Sequence, residues 1–348
     1  MRALYATGRT ERPLEWREAD APSLEAETDA LVRPIAVAAC DLDRAIVSGR
    51  SPFPGAFPLG HEFTGTVLEV GEAVTAVRPG DTVLASFQPS CGTCPRCERG
   101  ASSVCAAVPN GSMYGIGAAG GDFPGAIADA IRVPWADYTL APLTASLDPV
   151  AVASASDNLA DGLRGVDGPL ARRPGASVLV AGRGSIPLYA VLCARHLGAG
   201  AITVASDDPF LLATAEAHGA DCLETTNWPK RFASHDVTVD CTNSLSGIAA
   251  VLRSTEPYGE STSSSIFFGK DVPVPMFNLN MRGISFHTGR VNSAAQISRV
   301  LELLGEGLDP AAIDPAVHGF DAAIDALAGE PFSRKVILEQ ERGTASGT

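Results

Sequence analysis

Four cysteines, Cys91, Cys94, Cys97 and Cys105, lie in one fifteen-residue stretch. The spacing Cys-x2-Cys-x2-Cys-x7-Cys lets four thiolates enclose one tetrahedral Zn²⁺ at about 2.3 Å per sulfur. Gly92, Pro95 and Gly100 permit the tight turns that such a lobe needs. With sulfur in all four positions, no site is left for water, so this metal would be structural. An iron–sulfur cluster satisfies the same ligand count, and free or redox-active thiols are the reading without a metal. A disulfide knot would require an oxidising compartment. The first residues, Met1 to Ala6, lack the apolar run of a secretory signal, and in a cytoplasmic chain clustered cysteines bind metal more often than they pair.

A second constellation is Cys40 with Gly60-His61-Glu62. Cys and His are good zinc ligands, and twenty residues apart they can come from neighbouring elements. Core cysteines and satisfied histidines are also common, so a third ligand is needed. Asp157 is the candidate; its alternative is an ordinary helix N-cap. A third constellation, Gly182-Arg183-Gly184-Ser185-Ile186, follows a strand and opens a helix. There a glycine turn lets backbone N–H groups and a helix N-terminus receive a pyrophosphate.

The elements that must position these residues fall into three stretches. Residues 1 to about 150 are rich in Gly and Pro, with strand-like runs at 63–71 and 81–85. Residues 151 to 289 alternate: a buried strand at 176–181, a helix at 185–197, a strand at 201–205, a helix at 209–218 closed by Gly219, then strands at 236–240 and 265–269. This rhythm means an α/β doubly wound parallel sheet. Residues 290 to 348 hold an amphipathic helix around 295–304 and a final strand at 335–338, with a polar tail after Glu339.

The chain's 348 residues suit two domains, and 45% hydrophobic residues suffice for globular packing. A net charge of −14 repels phosphate backbones, which argues against nucleic acid and anionic membrane as partners. Apolar stretches are short and broken, with no transmembrane span.

Together these residues resemble the medium-chain, zinc-containing alcohol dehydrogenase family. The order Cys40, Gly60-His61-Glu62, the Cys91–Cys105 lobe and Gly182-x-Gly184 matches that family over essentially the whole chain. The resemblance implies a β-rich, GroES-like catalytic domain completed by the C-terminal segment, with a Rossmann domain inserted and the active cleft at their junction. It implies two zinc ions per chain, one structural and one catalytic, and NAD or NADP as cofactor. The third catalytic ligand precedes the Gly-x-Gly turn by about 25 residues in the family, which falls on Asp157; several bacterial members use Asp there. Cys40, His61 and Asp157 are then the ligands, Glu62 sits near the metal, and Asp43 supports the His ligand and fixes its tautomer. Three protein ligands leave one open position for an alcohol, whose pKa zinc lowers. Hydride would pass between the alcohol carbon and the nicotinamide.

Three positions depart from the family pattern. Leu42 replaces the usual Ser or Thr that relays the alcohol proton. Pro187 replaces the third glycine of the turn. Ser206 replaces the acid that holds the ribose hydroxyls, followed by Asp207 and Asp208. Loss of that acid favours NADP, with Arg183 the basic group in reach of a 2′-phosphate, whereas the two adjacent aspartates disfavour it. The expected activity is hydride transfer between a nicotinamide and an alcohol, polyol or sugar, or the matching carbonyl. The alternatives are a pathway-specific sugar, cyclitol or natural-product oxidoreductase with an altered proton relay, or a cofactor-binding homologue without catalysis. A homodimer or homotetramer is expected.

Overall fold

A computed structural model describes residues 1–49, 53–269 and 271–341. The end of the polar tail, 342–348, lies outside the described residues.

Two sheet systems organise the chain. The strand Val178–Gly182 is buried along its whole length, as a central parallel strand covered by helices on both faces must be. It is flanked by Ile202–Ser206 and His235–Cys241. Asp221–Glu224 lies outside the first, and Thr255–Ser263 then Ser285–Thr288 outside the second. Numbered in chain order, the six parallel strands run 3-2-1-4-5-6. This is the Rossmann order, whose direction reverses beside the first strand, where the Gly182–Ser185 turn lies.

The other system is built on the long strand Ala30–Ala39, paired antiparallel with Glu62–Val70 on one side and Val336–Glu339 on the other. Thr82–Ala85, Leu140–Pro142, Ile131–Val133 and Ala316–Gly319 extend it to seven strands. A separate three-stranded sheet joins Leu14–Glu18, Arg2–Ala6 and Phe57–Pro58. The C-terminal strand therefore closes onto the N-terminal sheet. The helix Ser293–Gly305 instead buries Ile297, Val300, Leu303 and Leu304 in the same apolar core as Val178, Val180 and Leu188.

Most expected elements appear within a residue or two. The strand expected at 265–269 does not form: Ile266 and Phe268 are exposed, and the fifth Rossmann strand is Thr255–Ser263. That segment carries Pro257 and Gly259 and buries Ser261, Thr262 and Ser263, so it lacks the apolar signature of a central strand.

Candidate active site

Strand pairing brings the first two site residues together. Ala38, near the end of Ala30–Ala39, lies opposite Glu62, the first residue of its partner strand. Cys40 and His61 thus leave adjacent strand ends. Cys40 is the N-cap of the short helix Asp41–Val47: its Sγ accepts from the Leu42 N–H at 3.2 Å, and its own N–H donates to Asp43 Oδ2 at 3.0 Å. A reciprocal cap of this kind fixes both side chains.

His61 and Glu62 are fully buried. Neither ring nitrogen of His61 has a hydrogen-bond partner. Nδ1 faces Asp43 Oδ1 at 3.6 Å, and Nε2 faces Asp157 Oδ2 at 3.4 Å. Asp157 holds the N-cap position of the helix Asn158–Arg164, yet its side chain makes no capping bond. The simple cap reading of Asp157 fails, because the carboxylate is aimed at His61.

One donor atom each from Cys40, His61, Glu62 and Asp157 lies within 4.8 Å of the others. Burial pushes the Cys40 thiol up to about 12, against the pull of His61. Burial also lowers the proton affinity of His61, but the charges of Asp43 and Cys40 outweigh it and raise the group well above its ordinary value. A buried set of sulfur, imidazole and carboxylate with an orphaned ring nitrogen is one a zinc ion satisfies.

Sequence reasoning missed three residues here, Lys335, Asn158 and Ser154. Lys335 is buried and donates to Glu62 Oε1 at 2.6 Å and to the side-chain oxygen of Asn158. Glu62 Oε2 accepts from Ser154 Oγ at 2.7 Å and from the Asn158 N–H at 3.4 Å. Burial raises Glu62 to about 7 despite the Lys335 charge. The Asn158 side-chain oxygen also accepts from Ser185 Oγ at 3.1 Å, tying the metal-side cluster to the glycine turn. The only signal available was that Lys335 is one of three lysines, set at the mouth of an apolar strand.

The turn itself runs from Gly182 into the helix Ser185–His196, with Gly184 as N-cap at φ +91° and the Gly184 N–H donating to Ser333 Oγ at 2.9 Å. That φ is one L side chains rarely adopt, and a Cβ there would also displace the Asp41 carboxylate, which favours glycine at 184. Ser185 N–H donates to Asp41 Oδ1 at 3.4 Å. Pro187 sits in the first turn, where a missing N–H breaks no helical bond. Ile186 is half-buried against the Rossmann core. Arg183 pairs with Asp207 through two bonds. Ser206 ends the second strand, buried, with Oγ accepting from the Asp208 N–H at 3.1 Å. Leu42 packs between the two main cores and offers no hydroxyl.

The cysteine lobe has no disulfide. Cys91 and Cys105 sulfurs are 3.6 Å apart, and one sulfur from each of Cys91, Cys94, Cys97 and Cys105 lies within 4.8 Å of the rest. Sulfurs on a tetrahedral zinc stand about 3.8 Å apart, against about 2.04 Å in a disulfide. Backbone N–H groups of Cys91, Ala106 and Ala107 donate to Cys105, Cys94 and Cys105 sulfurs at 3.3–3.4 Å. The bond from Ala106 helps bring the Cys94 thiol down to about 6. A Cβ at Gly92 would fall 2.7 Å from the Tyr138 ring, which explains glycine there.

Residues 26–143 match the alcohol dehydrogenase GroES-like domain. The glutathione-independent formaldehyde dehydrogenase of Pseudomonas aeruginosa is 30% identical over 302 residues, spanning 83% of this chain and 70% of that protein. The chain belongs to the medium-chain zinc alcohol dehydrogenase family. Another relative of this family member, S-(hydroxymethyl)glutathione dehydrogenase of Escherichia coli, is 31% identical over 234 residues, 63% of each chain. The alcohol dehydrogenase of Thermus sp. ATN1 superposes with a TM-score of 0.89 at 28% identity, covering 98% of this chain and all of that one. The GroES-like plus Rossmann fold follows, as does the enzyme class: a zinc-dependent oxidoreductase that uses a nicotinamide cofactor on an alcohol or its carbonyl.

Proposed function

We propose that Cys40, His61 and Asp157 hold the catalytic zinc, with Glu62 beside it and Asp43 orienting His61, and that Cys91, Cys94, Cys97 and Cys105 hold the structural one. The observation that carries this reading is the His61 ring, fully buried with both nitrogens unpartnered and Asp157 turned towards Nε2 instead of capping its helix. When bound, the catalytic ion supplies Lewis acidity that makes an alcohol easier to deprotonate and a carbonyl easier to reduce.

The chain's own residues do the rest. Asp43 faces Nδ1, which leaves Nε2 for the metal. Lys335 neutralises Glu62 and, through Asn158, fixes it relative to the turn that receives the cofactor. Gly182, Arg183, Gly184, Ser185 and Ile186 would form the cofactor turn, with Ser206 at the end of the second strand placed to receive the ribose. Phe87 is buried, with its ring centroid 5.8 Å from that of His61, and would keep water from that side of the imidazole. Leu42 carries no proton, so the alcohol proton leaves by a route other than a hydroxyl at that position. The test is nicotinamide absorbance with a panel of alcohols, polyols and aldehydes: His61→Ala should lose turnover with every one of them.

We also propose the domain division at about 150 and 289, with the stretch 290–348 returning to the catalytic domain after its helix packs on the Rossmann core. A cytoplasmic location fits eight free cysteines, and no helix among the described residues is long and apolar enough to cross a membrane. A homo-oligomer, dimer or tetramer, is supported by the Rossmann edge strand Ser285–Thr288 and by the exposed Met276, Phe277 and Met281 on the adjoining helix Met276–Arg282. Sedimentation of the purified chain decides that point.

A further inference from the structure

Arg290 lies in the segment between the edge strand Ser285–Thr288 and the helix Ser293–Gly305. Its Nη1 is buried without a hydrogen-bond partner, and the guanidinium forms no ion pair among the described residues. Other arginines among the described residues form ordinary salt bridges, for example Arg164 with Asp161 or Arg299 with Asp167, and Arg44, whose Nη1 is also buried and unpartnered, donates through Nη2 to the Glu330 carbonyl. Arg290 is different in lying beside the active site. Its Cζ is 5.9 Å from the Phe87 ring centroid, and the same ring is 5.8 Å from the His61 ring centroid. Asp157 is the carboxylate whose field reaches it, opposing the effect of burial, which lowers the guanidinium's proton affinity.

The position is also held firmly. Ser293 Oγ donates to the carbonyl of Ser156, next to Asp157, at 2.7 Å, and Ser293 N–H donates to Gln88 Oε1, next to Phe87, at 3.4 Å. The Asn292 side-chain oxygen accepts from Ser103 N–H at 3.1 Å and Ser103 Oγ at 2.8 Å. Arg290 is half-buried, and a buried Nη1 donor left without an acceptor is costly unless one arrives. The best acceptor for a planar fork is a carboxylate or phosphate.

We propose that Arg290 is the anion-recognising residue of the substrate pocket, and that the enzyme's substrate is an alcohol, or the matching carbonyl, bearing a carboxylate or phosphate group. This rests on the placement of the catalytic metal at Cys40, His61 and Asp157. Arg290 would hold the anionic end with the hydroxyl carbon towards Cys40, His61 and Asp157; the bound cofactor would supply the hydride acceptor for that carbon, and the hydroxyl proton would go to solvent. The chemistry at the carbon is unchanged; Arg290 selects what is presented to it.

The experiment uses the zinc-loaded enzyme and matched probes: 1-butanol against 4-hydroxybutyrate, and glycerol against glycerol 3-phosphate, each with NAD and NADP. Wild type should favour at least one charged probe in kcat/KM by about tenfold or more, and the pair that responds separates carboxylate from phosphate. Arg290→Ala should cut kcat/KM for that charged probe by about ten- to a hundredfold, mainly through KM, and leave its neutral partner within about threefold. Arg290→Lys should restore part of the loss. Calorimetric titration of succinate and of inorganic phosphate into the enzyme–NADH complex gives a readout without turnover: one of them should bind wild type and not Arg290→Ala. Equal use of charged and neutral probes by wild type, with no effect of Arg290→Ala, overturns the proposal while leaving the dehydrogenase reading intact. Weaker NADH binding in Arg290→Ala with unchanged substrate preference assigns the residue to the cofactor and also overturns it. If no probe turns over, the metal reading is what fails, and the titration alone decides Arg290.

Discussion

Arg183 and Asp207 close a two-pronged ion pair over the glycine turn, Nε and Nη2 of the guanidinium each donating to one carboxylate oxygen. The bonds from Arg183 hold the Asp207 carboxyl below its ordinary value. Its neighbour Asp208 is committed elsewhere, capping the helix Pro209–Ala217 through the Leu211 N–H and accepting from Ser333 Oγ at 2.7 Å. A guanidinium already filled by a carboxylate is poorly placed to recognise a 2′-phosphate, so the NADP advantage expected from Arg183 needs Asp207 to let go. Wild type should therefore favour NAD. Asp207→Asn should move the NADP-to-NAD ratio of catalytic efficiencies towards NADP by about tenfold. A ratio indifferent to Asp207→Asn would show that the pair does not govern cofactor choice.

Asp41 stands where a pyrophosphate would meet the N-terminus of the helix Ser185–His196, its carboxylate against Gly184 and the Ser185 N–H. Burial raises this carboxyl to about 6, against the pull of Lys335. Fluorescence titration should find that Asp41→Asn binds NADH about threefold to tenfold more tightly than wild type, because a like charge is removed from the site. Equal or weaker binding would mean that the carboxylate moves aside at no cost.

Most of the fold, and the residues of the two proposed metal sites, could be picked out because their signals are local. The cysteine lobe, Gly-His-Glu and Gly-x-Gly are short runs, and the strand–helix rhythm of 176–218 follows the apolar pattern. What stayed hidden depends on distance along the chain. Lys335 and Glu62 are 273 residues apart and read separately as surface charges; burial appears only when Val336–Glu339 pairs with Ala36–Ala39. Arg290 carries no motif at all, and its lack of a partner is a property of the folded cleft. The misplaced fifth Rossmann strand has a similar cause: Ser and Thr fill interior positions there, so apolar periodicity pointed to the exposed 265–269 run instead.

The cysteine lobe should lose its metal with one ligand. Cys94→Ser is expected to retain one zinc per chain in place of two and to unfold at lower temperature, since structural zinc binding is coupled to folding. Limited proteolysis should then cut within 91–105. Full metal content and an unchanged melting curve would remove the structural-zinc assignment.

Asp236 links the first and fourth Rossmann strands: Oδ2 accepts from Ser177 N–H at 3.0 Å and Ser177 Oγ at 2.8 Å, and Oδ1 accepts from Arg173 at 3.0 Å. The Ser177 N–H bond is the main reason the Asp236 carboxyl is held below its ordinary value. A depressed carboxylate contributes stability that is present above its unfolded value and lost as pH falls through its lower folded value. Denaturant unfolding should show Asp236→Asn less stable by about 1–2 kcal/mol at neutral pH. The gap should shrink below about pH 4. A gap that stays constant into acid would mean that the carboxylate's charge contributes nothing.

Metal content by mass spectrometry of exhaustively dialysed protein measures directly where the second zinc sits. Wild type should carry two zinc ions per chain, and His61→Ala one, with the cysteine lobe still metallated and turnover abolished. Asp157→Asn should weaken retention of the same ion, with a rate lowered at least about tenfold. Wild type holding a single zinc, or His61→Ala keeping both, would contradict the placement of a catalytic metal at Cys40, His61 and Asp157.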